Sequence, residues 1–192
     1  MIIGLTGHAG SGKDEAAKAL VALGWTRLAF ADPMRAALLA LDPYIRQANA
    51  PLSKVINTYG WDEAKRSYHE IRELLQRFGT EVGRNVHGED CWIRIAMNEV
   101  ADECIKGNDV VITDCRFDNE AEYVRKAGGV VVKIVRPGVG AVNEHASDAG
   151  VSEHLIDWQI FNGGRVEDLH TLIIAQATWR QSGAAERVAI SA

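Results

Sequence analysis

Short apolar runs and longer stretches of helical periodicity take turns along this chain. Residues 2–6 (IIGLT), 26–31 (TRLAFA), 110–113 (VVIT), 130–135 (VVVKIV) and 158–161 (WQIF) have the length and apolar content of strands. Helical spacing occupies 14–23, 33–41, 61–78, 91–106, 119–127 and 166–179. Such alternation predicts an α/β protein: a three-layer α/β/α arrangement around a mainly parallel five-stranded sheet. The 110–113 run is too apolar for an edge strand. Residues 43–60, with Pro43, Pro51 and Gly60, read as loops with room for a short helix. Gly79 and Gly83 are expected to break the helix that precedes them. On 91–106, Ile93, Met97, Val100 and Cys104 fall on one face. No linker or repeat divides the chain, so 1–181 reads as one domain. Residues 137–153 form a Gly-rich, lid-like loop and 182–192 a flexible tail.

The first strand opens directly into Gly7-His8-Ala9-Gly10-Ser11-Gly12-Lys13, the pattern G-x-x-x-x-G-K between a strand and a helix. Glycines there let successive backbone N–H groups turn inward around a phosphate. Lys13 adds a charge that reaches the outer phosphates, and the following helix aims its positive end at the same anion. The loop residues Gly7, Ala9, Gly10, Ser11, Gly12 and Lys13 are therefore candidates to hold ATP. Where the pattern usually has Ser or Thr, this chain has Asp14, followed by Glu15. Two acids beside a polyphosphate require either an intervening cation or side chains that point away. Asp14 is assigned to Mg2+, with a helix-dipole role as its alternative; Glu15 is assigned to the helix terminus.

Composition narrows the class. The 192 residues carry a net charge of −5 and are 47% hydrophobic, which fits an ordinary globular protein and argues against a general nucleic-acid binder. No apolar run approaches the roughly 20 residues of a membrane span. Cys91, Cys104 and Cys115 lack metal-ligand spacing and read as reduced thiols of a cytoplasmic protein.

In an open parallel sheet, ligands gather at the carboxyl ends of the strands. The segments that follow the five proposed strands are the glycine loop, Asp32-Pro33-Met34-Arg35, Asp114-Cys115-Arg116, Arg136 and Asn162-Gly163. Asp114 stands where phosphate-loop enzymes keep an acid for magnesium, or else it is a helix cap. Arg116 and Arg136 either neutralise a phosphoryl group in transfer or form structural ion pairs. Arg66, Arg72 and Arg77 default to solvated charges. Trp61, Trp92 and Trp158 read as core residues before base-stacking platforms.

Four segments together have a family counterpart: Gly12-Lys13-Asp14, FADPMR (30–35), FGTEVGRNVHGEDCW (78–92) and VVITDCRFDNEAEYVRKAGGVVVKIVRP (110–137). With HAS (145–147) and the Asn162-Gly163 turn, they cover most of residues 1–170 in order. The chain resembles the bacteriophage deoxynucleoside monophosphate kinases of the adenylate-kinase-like phosphate-loop group. The resemblance makes Asp14 ordinary, since an aspartate follows the loop lysine in that family. It implies that Lys13 and the loop amides hold the donor, that Asp14 and Asp114 lie near Mg2+, and that Arg84 and Arg116 grip the acceptor monophosphate. It further implies that Asp32 and Arg35 line the acceptor side, and that Arg136 with loop 137–153 closes over the donor. Two positions depart from it: Glu15, where threonine is common, and Asn162-Gly163-Gly164, where Asn-Asp-Gly is usual.

The resulting expectation is an enzyme that moves the γ-phosphoryl of ATP to a small deoxynucleoside monophosphate. It would work in the cytoplasm (the host's, if phage-encoded), without nucleic acid or membrane, and an exposed apolar helix face would allow a homodimer. A kinase of the dephospho-coenzyme-A type and a non-catalytic nucleotide-binding switch are the competing readings.

Overall fold

The computed structural model describes residues 1–140 and 150–181, with side chains as far as 179. The lid-like loop therefore lies largely outside the described residues, HAS (145–147) and the 182–192 tail entirely so. Cα packing resolves two compact units: residues 1–29 with 97–192, and an inserted unit, 30–96.

The first unit is built on β1 (Ile2–Thr6), β2 (Thr26–Leu28), β5 (Val110–Ile112), β6 (Val130–Val135) and β7 (Trp158–Phe161). Their order is β2-β5-β1-β6-β7, and every pair is parallel. The run at 110–113 is interior, as its composition predicts: β5 sits between β2 and β1 with all three residues buried. Alternate strand residues Ile3, Leu5, Val130, Val132 and Ile134 meet Ala16 and Leu20 of α1 (Lys13–Val21), and Leu169 and Ile173 of the C-terminal helix (Val166–Gln181). The other face carries α7 (Asp118–Lys126). A Cβ at Gly4 would stand 3.2 Å from Val124 Cγ2, so the glycine inside β1 lets α7 settle close to the strand.

The inserted unit is helical apart from a two-residue hairpin, β3 (Tyr44–Ile45) with β4 (Ala50–Pro51). It holds α2 (Asp32–Leu41), α3 (Leu52–Ser67), α4 (His69–Arg77) and the short α5 (Asn85–His87), around Leu38, Ile45, Leu52, Val55, Ala64 and Ile71. The last helix of the insertion, α6 (Cys91–Ile105), runs on into the first unit. The C-terminal helix is α8.

Three sequence expectations need correction here. Residues 43–60 are not mainly loops: α3 starts at Leu52 and passes Gly60, whose φ of 68° interrupts its helical geometry without ending it. Gly79 and Gly83 do not stop the chain's winding, because Phe78–Arg84 continues as a π-helix. Their small size serves packing instead: a Cβ would stand 2.7 Å from Met34 Sδ at Gly79 and 2.2 Å from Trp92 Nε1 at Gly83. On α6 the buried face is Ile93, Ala96 and Val100, and Cys104 is exposed. The 26–31 run also stops pairing at Leu28, three residues before its apolar character ends.

Candidate active site

β1 delivers the chain into the glycine loop at the carboxyl edge of the sheet. The turn depends on glycine at two places. Gly7 has φ 135°, and a Cβ there would lie 2.4 Å from the Ile134 carbonyl oxygen. Gly12 has φ 105°, and its Cβ would lie 2.5 Å from Asn162 Nδ2. Both positions are in the backbone region that side-chain-bearing residues avoid.

Inside this loop, Lys13 Nζ donates to the carbonyls of Gly7 (2.6 Å) and His8 (2.9 Å). Burial lowers its pKa from the ordinary lysine value, and the nearby Arg116 guanidinium adds to the effect, while Asp14 and Asp114 oppose it. One cavity is lined by Gly7, His8, Ala9, Lys13 and Arg116. Ser11 is buried, and its Oγ has no hydrogen-bond partner among the described residues. A satisfied turn would not orphan a hydroxyl in this way, whereas a loop shaped around a polar guest would.

The other candidates of the first unit stand along the same strand edge. Asp114 follows β5 half-buried, and Arg116, two residues on, is exposed. Arg136 follows β6, with Nη1 3.5 Å from the Gly10 carbonyl oxygen. Asn162 follows β7 and donates from Nδ2 to the Ser11 carbonyl at 2.8 Å, so its amide braces the loop backbone. Gly163 turns beside it, with space for a Cβ closed by Phe161 Cε1 at 2.7 Å. Asp14 is exposed on the first turn of α1, and Glu15 pairs with Lys18 at 2.6 Å. That pair keeps the Glu15 carboxylate at the helix surface, as expected for a terminus residue.

The inserted unit holds the remaining three. Asp32 and Arg35 form an ion pair at 3.1 Å, and the Arg35 guanidinium lies 5.8 Å from the Trp61 ring centre. Arg84 closes the π-helix, half-buried. Trp92 donates from its indole nitrogen to the Gly79 carbonyl (3.0 Å) and packs against Phe78, with ring centres 5.7 Å apart. Trp158 lies against the sheet core. Arg66 and Arg77 pair with Glu63 and Glu81 at the surface, in keeping with solvated charges.

One positioning residue escaped sequence reasoning. Glu120 is buried, and its Oε2 accepts the backbone N–H groups of Arg116 (2.6 Å) and Phe117 (3.1 Å). It occupies the third position of α7 and reaches back to the residue before the helix. A Glu three residues after a helix start was the readable signal.

The donor set suits magnesium. Asp14 and Asp114 both act on Lys13, so two hard carboxylates border the loop. Among the described residues there is no group of three or more His, Cys, Asp or Glu able to hold a metal alone. Magnesium characteristically takes one or two carboxylates and completes its shell with phosphate and water.

A family model described as deoxynucleotide monophosphate kinase matches residues 46–173. The chain belongs to the deoxynucleotide monophosphate kinase family. A putative deoxynucleotide monophosphate kinase of Acanthamoeba polyphaga mimivirus is 30% identical over 91% of this chain and 95% of its own length. The deoxynucleotide monophosphate kinase of Enterobacteria phage T4 is also 30% identical, over 54% of this chain but only 43% of its own length. Among solved structures, a dephospho-CoA kinase from Campylobacter jejuni superposes with TM-score 0.54, covering 95% of this chain and 98% of that one. At 12% identity this likeness concerns the fold, and it supports the α/β phosphate-loop architecture. The family model covers the Arg84 and Arg116 segments, while the glycine loop lies outside its span.

Proposed function

We propose that the chain transfers the γ-phosphoryl group of ATP to a deoxynucleoside 5′-monophosphate, producing the diphosphate and ADP. The observation that carries this reading is Lys13 folded onto the Gly7 and His8 carbonyls, inside a glycine loop with an orphaned Ser11 hydroxyl. Membership of the family supplies the acceptor class.

The acceptor already presents phosphate oxygens, so the chemistry needs no strong general base. What it needs is the approach of two polyanions and the exclusion of water. Lys13 and the inward N–H groups of residues 7–13 hold the donor phosphates. Asp14 and Asp114 hold magnesium, which when bound screens the phosphate oxygens from one another. Arg116 faces the phosphoryl group in transfer, where a fixed guanidinium stabilises charge spread over its equatorial oxygens. Arg136 and the Asn162-Gly163 turn serve the donor side. Arg84 and the Asp32–Arg35 pair of the inserted unit serve the monophosphate. An arginine suits that task because its planar fork matches two phosphate oxygens at once. Three free cysteines are compatible with the reducing cytoplasm, where nucleotide pools lie.

Lys13→Ala tests the reading. Turnover should fall on the order of 10²-fold or more while the folded state persists, as when a preorganised charge contact is removed. Near-normal turnover in the folded variant would contradict it.

A further inference from the structure

β6 is an apolar strand, VVVKIV, interrupted by one charge. Its neighbours Val132 and Ile134 lie in the core beneath α1 and α8. Lys133 alternates with them onto the opposite face, in register with Thr6 of β1. There it lines the same cavity as Lys13 and Arg116.

The ammonium pairs with Glu153. Side-chain exposure is 26% for Lys133 and 64% for Glu153, so this is a solvent-screened pair. Pairs of that kind are a weak reason to place a lysine in a central strand, where a valine would bury fully. Glu153 is also held independently: its second oxygen accepts Gln159 Nε2 at 2.9 Å. The carboxylate therefore keeps a partner if the lysine leaves it.

From this placement we propose that Lys133 is a phosphate-binding residue of the transfer cavity, parked on Glu153 until a phosphate group enters. The incoming group is a phosphate monoester or polyphosphate terminus with two negative charges, which outcompetes a single exposed carboxylate. Lys133, Lys13 and Arg116 then supply three cations around one anion. The proposal rests on the kinase reading only for the identity of that anion, since either substrate supplies the same chemistry.

Two variants tell this role from a purely structural ion pair: Lys133→Met and Glu153→Gln. Charge-assisted hydrogen bonds to phosphate lead us to expect Lys133→Met to weaken substrate binding by roughly 10- to 100-fold. Glu153→Gln, which releases the ammonium, should leave binding unchanged or tighten it. Separate calorimetric titrations with ATP and with dGMP or dTMP assign the anion to the donor or the acceptor. Thermal melting is followed in parallel. Losses of binding in the same direction for both variants, or Lys133→Met binding both nucleotides as wild type does, would overturn the proposal. A wild-type protein that phosphorylates no monophosphate would contradict the kinase reading alone, because the titrations still decide Lys133.

Discussion

The carboxylate of Glu120 accepts the backbone N–H of Arg116 at 2.6 Å, from a side chain that is only 5% exposed. The same oxygen takes the Phe117 N–H, so one buried acid fixes the path of the turn that carries an exposed arginine into the cavity. A charged acceptor serving two backbone donors is the strongest local tie in that turn.

Glu120→Ala should therefore cost more than a helix cap alone. Leaving two backbone donors without their acceptor costs about 1–3 kcal/mol for each one that stays buried. Glu120→Gln keeps an acceptor oxygen and should lose less stability. If Arg116 acts on the phosphoryl group, both variants should also lower turnover, and Arg116→Ala should abolish the additional effect of Glu120→Gln. Denaturant unfolding combined with a kinetic double-mutant cycle checks this.

Asn162 and Ser11 are 151 residues apart, yet a 2.8 Å bond from Nδ2 to the Ser11 carbonyl joins the end of β7 to the glycine loop. Asn162→Ala should weaken ATP binding about 3- to 10-fold, from a lost hydrogen bond of about 1 kcal/mol. Gly12→Ala should be worse, because its methyl would stand 2.5 Å from that amide on a backbone with φ 105°. Titration with ATP and melting curves for both variants measure the difference.

Asp14 and Asp114 border Lys13 from two different elements, the first turn of α1 and the end of β5. Asp14→Asn and Asp114→Asn should each raise the magnesium concentration needed for half-maximal activity. A shift in melting temperature with an unchanged magnesium requirement would return that residue to a capping role.

The readable parts of this fold were those in which composition and local geometry agree. β6 and β7 end where their apolar runs end, since a buried strand shows itself in its residues. The run at 26–31 overshot because Ala29 and Phe30 are buried without being paired, and apolarity reports burial rather than hydrogen bonding. Gly79 and Gly83 misled for a related reason: a glycine marks either a break or a close approach, and only the positions of Met34 and Trp92 reveal which. The glycine loop, Lys13 and Asp114 could be found because strand-edge chemistry is local in sequence. The parking of Lys133 on Glu153 and the bracing of Ser11 by Asn162 could not, since each partner is brought in by the sheet from far along the chain.

The central claim concerns the acceptor. A pocket fitted to deoxyribose would have to bury a ribose 2′-hydroxyl without a partner, at about 1–3 kcal/mol, or roughly a 5- to 150-fold preference for the deoxy sugar. The most direct measurement is kcat/KM with ATP for matched deoxy- and ribonucleoside monophosphates. At least one deoxynucleoside monophosphate, dGMP or dTMP first among them, should yield its diphosphate with one equivalent of ADP and be preferred over its ribo counterpart. Equal efficiency on GMP and dGMP, activity confined to AMP, or phosphorylation of dephospho-coenzyme A with none of the deoxynucleotides would contradict the account.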